Sequence, residues 1–330
     1  MTKMKNKVID TIKKYNLINP GDKIVLGVSG GPDSISMLNI LNEIKNDFQF
    51  EIYVAHINHM IREEACDDEK YVQDYCEKNN ISFYVKRIDV QQFANNSKLG
   101  TEEAGRKIRY EFFEDVMQKV GANKIGIAHN KNDKIETIIM NLIRGSGLSG
   151  LKGIEPLRDD KYIRPLIECE RHEIEQYCEQ YNLNPRIDKT NFENDYTRNK
   201  IRNIVIPYIQ NEFNPNIIQT IDRLSQVAVE ESDYINKQTS DIYQKLLIEK
   251  DTKQIVLRLK EFNKQEKVIK NRIILKAIKD VMSSTERIEK IHIEDIVKLC
   301  DNNVGNKFLT PNKNVKVLVK DKKIYITSLL

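Results

Sequence analysis

The sequence predicts an α/β fold, a doubly wound parallel sheet joined to a second, mainly helical C-terminal domain. Three observations carry that reading. Short apolar runs of buried-strand type alternate with helical stretches through roughly the first 145 residues. Beyond Gly153 the alternation stops and helical spacing dominates. The length, 330 residues, also exceeds what one hydrophobic core usually fills.

Residues 4–16 read as an amphipathic helix closed by the Asn19-Pro20-Gly21 turn. An apolar run at 23–28, a helix at 34–45 and a second run, Ile52–Ile57, follow. A helix over 63–79 leads to the run Ser82–Ile88, then a polar loop, a helix at 101–120, the run Lys124–Ala128 and a helix at 133–144. Ligands of such sheets sit beyond the carboxyl ends of the strands, where strand order reverses. The loop Ser29–Ser34 follows the first strand, His56 to His59 the second and His129 the fourth, so three polar clusters are expected on one rim. A helix at 170–182 ends near Asn184-Pro185, and a polar segment runs from Ile187 to Arg202. A long helix from Ile217 to about Lys250, helices at 266–282 and 292–300, and a hairpin of Val315–Val319 with Ile324–Thr327 complete the chain. The boundary falls near Phe213-Asn-Pro-Asn216, giving domains 1–215 and 216–330.

Composition narrows the class. No run approaches the roughly 18 uninterrupted apolar residues of a membrane span, and the start, MTKMKNKVID, lacks the apolar core of a signal peptide. A cytoplasmic location is therefore expected. The five cysteines are odd in number and form no CxxC, which reads as reduced thiols. The net charge of +4 is unevenly divided. From Ile217 onward there are 22 Lys and Arg against 16 Asp and Glu, and before it 31 against 33. A basic C-terminal region suits a polyanionic partner, but a lysine-rich solvated face accounts for it equally well.

The stretch Val25-Leu-Gly-Val-Ser-Gly-Gly-Pro-Asp-Ser34 carries the first chemical signal. A glycine pair after a strand turns the backbone sharply and uncovers amide N–H groups, and the next helix adds a positive dipole end. That is a phosphate cradle. It lacks the lysine of GxxxxGK[ST], so it is not a loop for terminal phosphates. Ser29 and Ser34 can donate hydroxyls to phosphate oxygens. Asp33 would repel phosphate unless a cation stood between them, which implies Mg²⁺.

These residues resemble the PP-loop signature SGGxDS of the ATP pyrophosphatase superfamily. The resemblance implies ATP bound by Ser29, Gly30, Gly31, Pro32, Asp33 and Ser34, cleavage between the α- and β-phosphates, and transfer of AMP to an oxygen. His56-Ile-Asn-His-Met-Ile-Arg62, Glu103-Ala-Gly-Arg106-Lys-Ile-Arg109-Tyr110, Ala128-His129-Asn-Lys-Asn-Asp133-Lys-Ile-Glu136 and Arg144-Gly-Ser-Gly-Leu-Ser-Gly-Leu-Lys-Gly153 follow in order. Arg164-Pro-Leu, Asp188-Lys-Thr-Asn191 and Arg198-Asn-Lys-Ile-Arg202 come later. The ordered set, over about residues 20–210, is similar to the tRNA(Ile)-lysidine synthetase family. One departure is Asn130, where the family often has a second histidine.

The resemblance implies attachment of the ε-amine of free L-lysine to C2 of the first anticodon cytidine of a tRNA(Ile) with a CAU anticodon. The C2 oxygen is adenylated first and lysine then expels AMP. The expected catalytic residues are Asp33, with Mg²⁺, and Arg106, His129, Asp133 and Glu136. Asp133 and Glu136, three apart on one helix face, could hold the lysine ammonium or take a proton from its amine, and acidic stabilisation of a helix start is the plainer alternative. His129 is read as assisting proton transfer or meeting the base, or as structural. Arg106 could offset charge on the α-phosphate, and Arg109 either joins it or pairs with an acidic neighbour. His56 is expected to wall the adenine or ribose. His56, His59 and Cys66 lack a fourth ligand at credible spacing for zinc. Arg144, Arg198 and Arg202 are read as tRNA or lysine contacts, with a solvated helix face as the alternative for the last two. The resemblance further implies a helical C-terminal domain that grips tRNA, leaves a homodimer open, and includes longer members with a further terminal domain.

Three rivals share parts of this pattern. A tRNA thiolase uses the same adenylation but carries sulfur on paired cysteines. An RNA-binding protein on a relic nucleotide fold would not need Asp33, Asp133 and Glu136. A free amide synthetase would not need a basic C-terminal region.

Overall fold

The computed structural model describes residues 2–60, 65–186, 196–282, 288–302 and 306–329. Arg62 and the Asp188–Asn191 motif lie outside the described residues. Two units are compact by themselves, Met1–Gln226 and Val227–Leu330. The division falls inside a long helix, eleven residues beyond the 215/216 boundary read from the Asn-Pro turn.

In the first unit, Thr2 caps helix α1 (Lys3–Lys14) by accepting from the Lys5 amide. Strand β1 (Lys23–Gly27), helix α2 (Pro32–Ile44), strand β2 (Glu51–Asn58), helix α3 (Ala65–Lys78) and strand β3 (Ser82–Arg87) then alternate. Helix α4 (Val90–Ser97) occupies what the sequence reads as a polar loop. Asp89 caps it through the Gln92 amide, and only Val90 and Ala94 are buried, too little apolar periodicity to announce a helix. Helix α5 (Thr101–Val120), strand β4 (Lys124–Gly126), helix α6 (Lys131–Ile143) and helix α7 (Leu148–Leu151) follow. Two strands of two residues each, β5 (Leu157–Arg158) and β6 (Tyr162–Ile163), precede helix α8 (Arg171–Gln180). Helix α9 (Thr197–Lys200) passes into a π-helical turn, Ile201–Val205, and on into helix α10 (Ile206–Glu212). Pro207 has no N–H to return to the Asn203 carbonyl, a reason for the ladder to widen just there. Helix α11 (Ile217–Leu246) begins in this unit.

The sheet order is β3-β2-β1-β4-β6-β5, parallel except for the β5–β6 pair. Strand β1 is buried on both faces. Ile24 and Leu26 pack into one cluster with α1, α2 and α8, while Val25 points to the other with Phe112, Phe113 and Val116 of α5. Each such side chain contributes about 1.5–3 kcal/mol on burial, and alternation between two covered faces makes β1 the central strand. The chain winds from β1 through β2 to β3 in one direction and through β4 to β6 in the other. Strand order therefore reverses between β1 and β4, and the loops leaving these two strands face each other across that point.

The second unit is richer in strand than the hairpin reading. Strands β7 (Leu247–Lys250) and β8 (Gln254–Arg258), helices α12 (Leu259–Asn263), α13 (Lys267–Met282) and α14 (Lys290–Asp301), and strands β9 (Lys307–Asn312), β10 (Val315–Lys320) and β11 (Lys323–Ser328) form it. The sheet order is β7-β8-β11-β10-β9, antiparallel throughout. The expected hairpin is β10–β11, closing at Lys320 opposite Lys323. Val315, Val317 and Val319 alternate inward, against Ile273, Ile274, Ala277 and Ile278 of α13. Strand β9, which contains Pro311, takes an edge, where a missing N–H costs least.

Candidate active site

The cradle forms where β1 ends. Gly30 has φ +93°, a conformation that glycine adopts without strain, and its carbonyl accepts from the Arg186 amide at 3.0 Å. The buried Ser34 hydroxyl accepts from the amides of Ser29 and Gly30, both at 3.2 Å, and donates to the Gly31 carbonyl at 3.0 Å. Ser34 therefore shapes the loop from inside. Helix α2 starts at Pro32, whose missing N–H would be unpaired there in any case, so its positive end opens into the cradle with Asp33 in the first turn.

Asn130 joins the cradle to the loop after β4. Its Nδ2 donates to Asp33 Oδ1 at 2.9 Å, and its Oδ1 accepts from the Asp133 amide at 2.9 Å. Asp133 Oδ2 in turn accepts from the Asn130 amide at 3.1 Å, a reciprocal cap on α6. Burial, then the nearby Asp133 carboxylate, pushes the Asp33 pKa up to about 6, while the Asn130 amide and the charges of Arg171 and Arg202 act the other way.

The remaining oxygens of α6 meet arginines. Glu136, 1% exposed, accepts from Arg198 Nε at 2.9 Å, Arg202 Nε at 2.7 Å and Arg202 Nη2 at 2.9 Å. Asp133 Oδ1 accepts from Arg198 Nη2 at 3.3 Å and Arg202 Nη2 at 3.1 Å. Arg171 Nη2 stands 3.7 Å from Glu136 Oε1. Asp133 and Glu136 thus share three guanidiniums, and Asp33 joins them through Asn130. Behind it, Asp222 of α11 holds Lys134 at 2.8 Å and Lys131 at 3.3 Å, which fixes the first turns of α6.

The opposite flank is basic. Arg164, 3% exposed, donates from Nε to His129 Nδ1 at 3.1 Å. Arg158 lies over the Tyr162 ring at 4.3 Å and the Tyr110 ring at 5.0 Å, and Arg106 covers Tyr110 at 5.0 Å. Burial, then the charges of Arg164, Arg198, Arg106 and Arg109, depress the His129 pKa to about 3. At neutral pH the imidazole is therefore uncharged and a poor proton acceptor.

Comparison with known proteins gives this arrangement a family. Residues 2–209 match the PP-loop domain model. Over 324 residues the chain is 47% identical to the tRNA(Ile)-lysidine synthase of Clostridioides difficile (strain 630), covering 98% of this chain and 70% of that protein. Over 310 residues it is 47% identical to the synthase of Clostridium acetobutylicum, covering 94% and 67%. The chain belongs to the tRNA(Ile)-lysidine synthase family. Among solved structures, the U34-tRNA thiolase NcsA of Methanococcus maripaludis, with its 4Fe–4S cluster, is 20% identical, with a TM-score of 0.55. It covers 68% of this chain and 78% of that one and shares the fold.

In this lysidine synthase family member, the structure assembles Asp33, His129, Asp133, Glu136, Arg198 and Arg202 at the strand reversal. The last two reach carboxylates there, where the sequence reading offered a tRNA contact or a solvated face. His56 is 2% exposed and donates from Nδ1 to the Val28 carbonyl at 2.8 Å, so it ties β2 to the end of β1 inside the sheet, where the sequence reading made it a nucleotide wall. Arg106 and Arg109 are exposed on α5. Arg144 is exposed at the far end of α6, about 17 Å along the helix from Asp133. Sequence reasoning missed Arg171, Tyr110, Arg158 and the part played by Arg164. It also took Asn130 only as a missing histidine, although an Asn before an acidic residue three positions on is a capping signal. Arg164 leaves β6 on the same rim as His129, but after a strand of two residues that no sequence period announces.

Proposed function

We propose that the chain joins free L-lysine to C2 of the wobble cytidine of a CAU-anticodon tRNA(Ile), converting ATP to AMP and pyrophosphate. The observation that carries this reading is the Asn130–Asp33 bond, which puts the phosphate cradle and the acidic face of α6 in one site. The C2 oxygen attacks the α-phosphorus and pyrophosphate leaves. The ε-amine then attacks C2, AMP departs with the former C2 oxygen, and the amine loses a proton.

The cradle amides and the start of α2 receive the phosphates. Mg²⁺ fits beside Asp33, a carboxylate whose pKa is raised by burial and then by the nearby Asp133 carboxylate, so a cation there would relieve both. Among the described residues no cluster of three metal-ligating side chains occurs, so Asp33 would hold the ion with phosphate and water oxygens. The ion would supply charge neutralisation of the triphosphate. Arg106, Arg109 and Arg158 face the developing charge on the α-phosphate and the tRNA backbone. Asp133 and Glu136 receive the lysine ammonium. Each carboxylate offers about four acceptor sites and uses three here, which leaves one on each for a bridging cation.

A thiolase reading fits less well. Burial pushes the thiols of Cys76, Cys169 and Cys300 up to about 12, far from the thiolate that sulfur carriage uses. No helix among the described residues is long and apolar enough to cross a membrane, and a cytoplasmic setting suits the proposed substrates. Mass spectrometry of nucleosides from tRNA(Ile) incubated with protein, ATP and lysine tests the function. Lysidine is expected, and unmodified cytidine with intact ATP would refute it.

A further inference from the structure

We propose that Arg164 is a positioning residue, whose Nε–H fixes His129 as a neutral hydrogen-bond donor aimed at the reacting oxygens. The inference rests on the proposed adenylation chemistry only for what the donor meets.

The geometry has little slack. Strand β6 runs parallel to β4 with Ile125 opposite Tyr162 and Gly126 opposite Ile163, and Ile127 N donates to the Ile163 carbonyl at 2.9 Å. His129 and Arg164 therefore leave adjacent strands at one rim. The Arg164 amide donates to the Pro156 carbonyl at 2.9 Å, and its Nη1 donates to the Glu155 carbonyl. Its Nε points to His129 Nδ1 at 3.1 Å. Among the described residues no carboxylate forms an ion pair with this buried guanidinium, so backbone oxygens, Tyr110 and the imidazole are what satisfy it.

The chemical consequence follows from donor inventory. A guanidinium nitrogen only donates, so Nδ1 must present its lone pair. A neutral imidazole carries one proton, which then sits on Nε2. Arg164, Arg198, Arg106 and Arg109 all oppose a second proton, as does burial. The cation behind Nδ1 also polarises the ring, which strengthens the Nε2–H as a donor. His129 is thereby set to stabilise charge on an oxygen. It is not set to collect the proton that lysine releases.

The test is imidazole-nitrogen NMR of the full chain with labelled histidine, the His129 signals being those lost from His129→Gln among the five histidines. Expected is a bare Nδ1 and a protonated Nε2, unchanged over about pH 5 to 8. Arg164→Met should mix the tautomers and bring the titration into that range, whereas Arg164→Lys, which still offers an N–H, should retain the wild-type pattern. In single-turnover assays Arg164→Met should slow adenylate formation about 10²-fold with the KM for ATP within about threefold, and Arg164→Lys should recover part of the rate. A protonated Nδ1 in the wild-type protein overturns the proposal even if Arg164→Met fails to fold. So does an Arg164→Met protein with wild-type tautomer and rate. Because the spectrum needs no turnover, loss of the lysidine reading would leave the tautomer result standing.

Discussion

On the α6 flank of the site, Asp133 and Glu136 face Arg198 and Arg202 at hydrogen-bond distance, and every described charge there has an opposite neighbour. On the α5 and β6 flank, Arg106, Arg158 and Arg164 face tyrosine rings, an imidazole and backbone carbonyls, and among the described residues only the exposed Asp159 pairs with one of them, Arg158. Buried charge is costly unless it is compensated. The balanced flank is thus self-sufficient and suited to exchanging or adding one cation. On the basic flank the buried Arg164 meets no carboxylate among the described residues, so an anion would complete its compensation. On the proposed function, the difference separates two tasks, cation recognition on one side and phosphate recognition on the other.

Asp33 stands at the seam, and replacing it should give the largest effect. Asp33→Asn keeps an oxygen for the Asn130 amide but removes the charge beside the phosphates, so pyrophosphate release should fall about 10³-fold. The same change should stabilise the fold. A carboxylate whose folded pKa lies near 6, above its unfolded value of 3.8, binds protons better when folded, so its ionisation at neutral pH opposes folding. Removing it should add about 1–3 kcal/mol at pH 7 in urea unfolding. An Asp33→Asn protein that is both active and no more stable would remove the seam from the picture.

Glu136→Gln breaks the balanced flank. Two guanidiniums lose a buried partner, which should cost about 2–4 kcal/mol of stability, and the lysine KM should rise about 10–100-fold. Adenylated tRNA should still form from labelled ATP and convert slowly in a lysine chase. Adding Arg198→Gln should restore part of the stability and none of the lysine use. Failure of Glu136→Gln to adenylate while ATP and tRNA still bind would assign this carboxylate to the first step. On the basic flank, Arg158→Gln should weaken tRNA binding about 3–10-fold and lower the salt slope by about 1, with little change in ATP binding. An unchanged slope would make Arg158 a packing residue.

The cradle was legible because it is local. A strand, two glycines, a proline and a helix within ten residues dictate one backbone path. The face shared by Arg198 and Arg202 was legible too, as i and i+4, but their carboxylate partners lie 62 to 69 residues away and no local spacing announces that. Arg164 follows a two-residue strand, too short to show a period, so nothing marked it as a rim residue. In the second unit, Leu247–Lys250 read as the end of α11 because four residues fit either period, and β8 pairs with β11 across nearly seventy residues. Tertiary pairing supplied what pattern could not.

The smallest effect is an acid dependence that sets the two flanks against each other. His129 has a folded pKa of about 3 against an unfolded value near 6.5, so the unfolded chain binds its proton first and stability falls as pH drops below about 6.5. Between pH 7 and 6 that amounts to about 0.7 kcal/mol. Asp33 acts in the opposite sense over the same interval, because its raised pKa lets the folded chain take up a proton, and it contributes a gain of about 0.3 kcal/mol. A single melting curve would show little, since the two partly cancel. Paired variants separate them. His129→Gln should lose less stability than wild type between pH 7 and 6, by about 0.7 kcal/mol, and Asp33→Asn should lose more, by about 0.3 kcal/mol. If His129→Gln instead tracks wild type through this interval, the imidazole titrates normally and the basic flank does not hold it neutral.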